Sequence, residues 1–217
     1  MFARMLAIVL LIVSLNAPAQ AGVIVQISNL YWTEGNTSGI LDVFVRAKDG
    51  TTVDIDNLGL EFQITTSAAT RIFFDSTQTF PDLTTNVNYL FSGGGDPFGS
   101  SIGPFDTFLG GDLSLVGPIT LGDTFRLLTR LQLVAPPSGS LAPVAGDTFL
   151  VSLVGTNSFF DDGNFTNDIP YDALDGQITV QPQPSGVVPE PSSFVICLVL
   201  AGCGWFRMRR KKNLLLR

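Results

Sequence analysis

Histidine is absent from this chain, and its only two cysteines, Cys197 and Cys203, lie in an apolar run near the C-terminus. Without histidine there is no Ser-His-Asp triad, no His-ligated zinc and no H-E-x-x-H motif. The stretch before residue 188 has no thiol, so it contains neither a cysteine nucleophile nor a disulfide. The composition alone therefore excludes several classes of enzyme.

Positive charge is scarce in the middle of the chain. Between Gly22 and Pro189, five basic residues stand against eighteen carboxylates, a net charge of −13 compared with −7 for the whole chain. A domain this acidic repels a phosphate backbone, so we expect no nucleic-acid partner.

The N-terminal residues have the three parts of a secretory signal peptide. Arg4 provides a positive charge, residues 5–15 are mainly apolar, and Ala19 and Ala21 form an A-x-A cleavage site. We therefore expect signal peptidase to remove residues 1–21 and leave Gly22 as the first residue. An uncleaved N-terminal anchor is the alternative.

The C-terminal segment, residues 188–212, also has three parts in order. It opens with a Pro-x-Pro spacer, Val188, Pro189, Glu190, Pro191 and Ser192. An apolar run, 194–206, is followed by a basic cluster of Arg207, Arg209, Arg210, Lys211 and Lys212. A helix over this run is roughly 20 Å long against a hydrocarbon core of roughly 30 Å, which predicts a short transmembrane segment. Basic residues stay cytoplasmic, so the preceding chain is expected outside. An ordinary anchor or an apolar core helix are the alternatives.

This segment resembles the PEP-CTERM sorting signal of Gram-negative bacteria. The resemblance implies recognition by an exosortase, a membrane-embedded cysteine transpeptidase or protease, and removal of the tail. The partners would then be signal peptidase, the exosortase and, transiently, the inner membrane, before delivery to the cell envelope or its surface. The chain departs from such signals in one respect, because residues 213–217 continue past the basic cluster.

Between these segments the dominant pattern has period two. Leu58, Leu60, Phe62 and Ile64 alternate with polar residues or glycine, as in a half-buried strand. The stretch 148–154 has apolar residues at both odd- and even-numbered positions, which predicts a strand buried on both faces. Candidate strands cover residues 23–30, 41–47, 58–64, 71–74, 89–91, 107–115, 125–133, 148–154 and 177–180. Residues 22–180 are therefore expected to form one all-β domain, a single antiparallel β-sandwich of about nine strands. A proline-rich linker, 181–187, follows.

The same region resembles cohesin modules and related carbohydrate-binding sandwiches. The stretches "LGLEFQIT" and "GQITV" and the order of the strands carry this resemblance. It implies a nine-stranded jelly roll with neighbouring termini, and it concerns the fold more than the function.

An acidic loop is the candidate metal site. Asp162, Asn164, Thr166 and Asp168 place oxygen atoms at alternate positions, as calcium requires, although the spacing departs from the EF-hand loop. An acidic turn between strands is the alternative. Asp54 and Asp56 form a second candidate pair, or a polar loop. No other cofactor is expected.

Exposed aromatic residues are the candidate glycan site. Tyr31 and Trp32, or Phe159 and Phe160 beside Tyr171, could stack on sugar rings, although most of the 17 phenylalanines are expected in the core. A glycosidase, which needs only two carboxylates, is the enzymatic alternative.

Together these features predict an exported, non-enzymatic protein of the cell envelope or exopolysaccharide, processed through its sorting segment. The alternatives are a surface carbohydrate-binding module and a calcium-supported cohesin-like adhesion or assembly module. Extracellular polysaccharide or another envelope protein would be the partner.

Overall fold

The computed structural model describes residues 21–80, 82–102, 106–164 and 168–184. These residues contain no helix and form fourteen strands. The strands are β1 (Val23–Ile27), β2 (Leu30–Thr33), β3 (Ser38–Ala47), β4 (Val53–Ile55), β5 (Asn57–Thr65), β6 (Phe73–Phe74), β7 (Phe98–Ile102), β8 (Thr107–Leu113), β9 (Ile119–Leu121), β10 (Arg126–Val134), β11 (Thr148–Leu153), β12 (Phe159–Asp161), β13 (Tyr171–Leu174) and β14 (Gly176–Gln181).

Two sheets form the sandwich. One has the strand order β13-β1-β3-β10-β6, and the other has the order β2-β14-β11-β5-β8-β7, with β12 paired to β5. A separate pair, β4 and β9, completes the fold. The first two strands pair with the last two: β1 pairs with β13 in the first sheet, and β2 pairs with β14 in the second.

The core lies between the sheets, and the alternating patterns of β3 and β5 predict it correctly. In β3 the fully buried residues are Leu41, Val43, Val45 and Ala47. In β5 the even-numbered apolar residues from Leu58 to Ile64 are also buried, and none is more than 6% exposed. In β10 a register shift between Leu127 and Thr129 breaks the alternation. The bulge buries both of these residues and Leu128 between them.

The strand count and directions differ from the prediction. The described residues form fourteen strands, and β1–β13 and β2–β14 are parallel pairs within an otherwise antiparallel arrangement. The additional strands are three to five residues long, too short to show a period of two. The stretch 89–91 is not a strand, because Tyr89 makes only an isolated bridge to Leu127.

The prediction that residues 148–154 are buried on both faces is wrong. Phe149 and Val151 are buried, but Leu150 is 44% exposed. The reason is that the second face of β11 lies on the outside of its sheet, where no other layer covers it.

Several predictions lie outside the described residues. They concern Ala19, the whole segment 188–212 with its sorting motif, apolar run and basic cluster, and the tail 213–217. Ala21 and Gly22 are described and directly precede β1. Among the described residues there is no helix with the length and apolar character needed to cross a membrane.

Candidate functional site

Four residues on neighbouring strands of the seven-stranded sheet stand in one row. Phe159 of β12 is opposite Gly59 of β5, Gly59 is opposite Gly111 of β8, and Gly111 is opposite Phe98 of β7. Neighbouring strands lie about 4.8 Å apart, so the two phenylalanine Cα atoms are roughly 14 Å apart. The row therefore consists of two aromatic residues separated by two glycines.

Both aromatic rings pack against the glycines between them. A Cβ atom at Gly59 would clash with the ring of Phe159, and one at Gly111 would lie 2.8 Å from Cζ of Phe98. Only glycine allows the rings this close to the backbone. Phe159 nevertheless remains 42% exposed and Phe98 57% exposed. The rings lie on the outer face of the sheet and remain accessible to solvent.

An open groove of about 680 Å³ contacts these rings. Its volume falls in the range of roughly 300–1,000 Å³ that is typical of ligand clefts. We call it the Phe98–Phe159 groove; its lining residues are Leu58, Gly59, Phe98, Leu109, Gly110, Gly155, Thr156, Asn157, Ser158, Phe159 and Asp168.

Hydrogen bonds hold the polar side of the groove against β5. The Nδ2 atom of Asn157 donates to Oε2 of Glu61 at 2.7 Å. The hydroxyl of Ser158 donates to the carbonyl of Val154 at 2.6 Å and accepts from the amide of Glu61 at 2.9 Å. This loop is therefore fixed next to Phe159.

A buried carboxyl group lies on the inner face of β8, directly after Gly111. Asp112 is only 4% exposed and accepts hydrogen bonds from the hydroxyl of Tyr89 and from the amide of Asp96, the latter at 3.0 Å. Burial raises the pKa of Asp112 to about 7, against the opposing effect of the amides of Leu113 and Asp96. Asp112 does not line the groove.

Asp112 was not among the predicted site residues, although the sequence contains a signal for it. In β8 the inward positions are Phe108, Gly110 and Asp112, so an acidic residue occupies a core position of an alternating strand. Phe98 was also missed, because Gly99, Ser100 and Ser101 hide any apolar alternation in β7.

The predicted calcium loop is a hydrogen-bonded turn in the part that the structure describes. The amide of Asn164 donates to Oδ1 of Asp162 at 3.0 Å, which lowers the pKa of that carboxyl group. Asp168 pairs with Asp161 as an isolated bridge, and Thr166 lies outside the described residues. No group of three or more acidic side chains that could hold a metal ion occurs among the described residues. Calcium binding by this loop stays a prediction.

The side chains of the second acidic pair, Asp54 and Asp56, lie in different parts of the structure. Asp56 lies beside the loop, since a Cβ atom added at Gly163 would be 3.2 Å from the Cβ atom of Asp56. Asp54 instead accepts a hydrogen bond of 2.6 Å from the hydroxyl of Thr120 on β9. The structure therefore brings Asp56, but not Asp54, to the predicted loop.

The candidate aromatic residues also separate into exposed and buried members. Tyr31 is 70% exposed, but Trp32 is only 1% exposed and packs in the core, so its ring offers no surface to a sugar. Phe160 is buried and its ring contacts that of Tyr171, with centroids 5.7 Å apart. Successive residues of a strand point to opposite faces, which is why each pair of neighbours is split.

Comparison with known proteins identifies the fold. No protein-family model matches the sequence, and no curated protein matches it. The seventh ScaB type I cohesin of Pseudobacteroides cellulosolvens superposes with a TM-score of 0.50 and 9% identity, covering 76% of this chain and 96% of that one. The fold is cohesin-like. At this identity the likeness concerns the fold alone.

Two further cohesin structures are similar at lower scores. The sixth cohesin of Acetivibrio cellulolyticus scaffoldin B, solved in complex with a Cel5 dockerin mutant, gives a TM-score of 0.49 at 15% identity over 74% of this chain and 99% of that one. The cohesin module of a Clostridium perfringens family 33 glycoside hydrolase gives 0.47 at 12% identity over 75% and 99%.

Proposed function

We propose that this chain is an exported, non-catalytic adhesion or assembly module that holds its ligand in the Phe98–Phe159 groove. The observation that carries the proposal is the row of two exposed rings and two glycines on the outer face of a cohesin-like sandwich. Exposed aromatic side chains beside a concave surface are typical of ligand sites, whereas half of the twelve phenylalanines that the structure describes are buried.

Export is supported by the two terminal segments of the sequence. Removal of residues 1–21 by signal peptidase and processing at the segment 188–212 by an exosortase would deliver the acidic domain to the cell envelope or its exopolysaccharide. The inner membrane would hold the protein only transiently, before processing at the segment 188–212. The mature domain would then carry no thiol and no histidine.

A non-catalytic role is supported by where the carboxyl groups lie. A glycosidase needs two carboxyl groups that both reach the substrate. Asp168 lines the groove, whereas Asp112, whose pKa is raised to about 7, lies in the core and is hydrogen-bonded to Tyr89. The raised pKa of Asp112 thus follows from burial at a structural position.

The proposal is tested in producing cells that lack this chain and are complemented with variants. We expect the wild-type chain to restore adhesion between cells, or retention of the extracellular matrix, and the double variant Phe98→Ala/Phe159→Ala to fail. Surface labelling with an antibody must show equal display of both. Tyr31→Ala, which removes an exposed aromatic residue outside the groove lining, is the matched control and should behave as wild type. Full adhesion with the double variant would contradict the proposal.

A further inference from the structure

We infer that the Phe98–Phe159 groove binds a neutral glycan chain. This inference rests on the proposed function, because it names the class of ligand for the same groove. Three features of the groove point to it: the accessible rings on a backbone floor, the short polar side chains on its rim, and the near absence of charge.

The floor and the rings suit the apolar face of a sugar. Gly59 and Gly111 carry no side chains on this face, so the surface next to the rings of Phe98 and Phe159 is backbone. A pyranose ring is flat and presents C–H groups on its faces, which pack well against an aromatic ring. Two rings in one cross-strand row, with their Cα atoms roughly 14 Å apart, can contact two residues of the same glycan chain.

The groove offers too little apolar surface for a protein partner. Its exposed apolar side chains are Phe98, Phe159 and the half-buried Leu109, whereas a specific protein interface buries about 800 Å² on each partner around an apolar centre. Beside the rings, Thr156 and Asn157 present short polar groups at exposed positions. Such groups exchange hydrogen bonds with sugar hydroxyls at modest entropic cost.

Charge favours a neutral glycan over an acidic one. Asp168 is the one charged side chain among the residues that line the groove, and no lysine or arginine belongs to that lining. The chain between Gly22 and Pro189 has a net charge of −13, which repels carboxylated or sulfated polysaccharides. The carboxylate of Asp168 can instead accept hydrogen bonds from hydroxyl groups.

The test uses the full-length protein in mild detergent on an array of polysaccharides. Neutral β-glucan, xylan, mannan and dextran are compared with acidic alginate and hyaluronan, and the affinity for the best neutral glycan is then measured by calorimetry. We expect binding to at least one neutral glycan and weaker binding to the acidic ones. Phe98→Ala and Phe159→Ala should each weaken binding about tenfold, the loss expected for one aromatic contact.

Further variants separate loss of the groove from loss of the fold. Phe98→Tyr and Phe159→Tyr keep the rings and should keep most of the affinity, and Tyr31→Ala should leave it unchanged. Thr156→Arg, at an exposed loop position, fills the groove without changing the core and should also abolish binding. Thermal unfolding of each variant shows whether it is folded.

The inference is overturned if the wild-type protein binds none of the neutral glycans, if acidic glycans bind more tightly, or if the alanine and arginine variants bind as well as wild type. Its failure is distinct from failure of the proposed function. If the wild-type protein binds no glycan on the array, but cells with the Phe98→Ala/Phe159→Ala variant lose adhesion, the groove binds a protein instead.

Discussion

The hydroxyl of Tyr89 donates a hydrogen bond to the buried carboxyl group of Asp112 on β8. The amide of Asp96 donates to the other carboxyl oxygen, only two residues before Phe98. Asp112 thereby links the segment that leads into β7 to the neighbouring strand β8. We therefore expect the stability of the domain to depend on this buried acid.

The first prediction concerns the pH dependence of unfolding. The pKa of Asp112 is raised from 3.8 to about 7 in the folded protein, so the folded state holds the proton more tightly than the unfolded state. Its contribution is fully present below pH 3.8 and is lost as the pH rises through about 7. Relative to Asp112→Asn, the free energy of unfolding of the wild type should fall by about 2–3 kcal/mol between pH 5 and pH 8. Urea titrations at both pH values measure this, and parallel pH profiles would contradict it.

The second prediction removes the hydroxyl donor. Tyr89→Phe keeps the ring that packs edge-on against Phe91, with centroids 6.1 Å apart, but leaves Asp112 with one donor fewer. We expect a loss of about 1–3 kcal/mol in the free energy of unfolding. The loss should be larger at pH 8 than at pH 5, because the ionised carboxylate needs the donor more. Tyr31→Phe, at an exposed position, is the control and should change nothing measurable.

The third prediction concerns the floor of the groove. Gly59→Ala places a methyl group where the ring of Phe159 lies, and the ring must move because the backbone cannot. Adhesion should weaken, with a loss of stability of about 1 kcal/mol since the ring is at the surface. Gly122→Ala is the matched control, because no atom lies within 4 Å of its added Cβ. Equal adhesion by the two variants would show that the position of the Phe159 ring is unimportant.

The fourth prediction tests the correction at residues 31 and 32. Trp32→Ala should cost about 3–5 kcal/mol, since it empties a buried site against Gly39, whereas Tyr31→Ala should change stability by less than about 0.5 kcal/mol. Thermal or urea unfolding of the two variants measures the contrast. Similar losses would mean that Trp32 does not support the core.

The fifth prediction concerns maturation. The intact mass of the protein from producing cells should correspond to a chain that starts at Gly22 and lacks residues 194–217. Cells without the sorting enzyme should retain the C-terminal segment. A mass that includes residues 194–217 in both strains would sink the processing hypothesis.

The all-β class and the long strands could be predicted from the sequence for a definite reason. β3 and β5 have ten and nine residues, enough for alternation to identify the buried face. The three residues of β12 and the two of β6 are too few to show a period. At Leu150 the residue type was misleading, because an apolar side chain on an uncovered outer face looks the same in sequence as one in the core.

The amino-acid sequence by itself determined which chemistry is absent, the acidity of the domain, the two terminal segments and the alternation that builds a sandwich. Only the tertiary structure decided which aromatic residues are exposed and that Asp112 meets Tyr89 in the core. It also decided that Phe159, Gly59, Gly111 and Phe98 share one row. The physical reason is that local periodicity reports only which side chains share a face. Cross-strand neighbours and the covering of each face depend on the pairing of strands that are far apart in the chain.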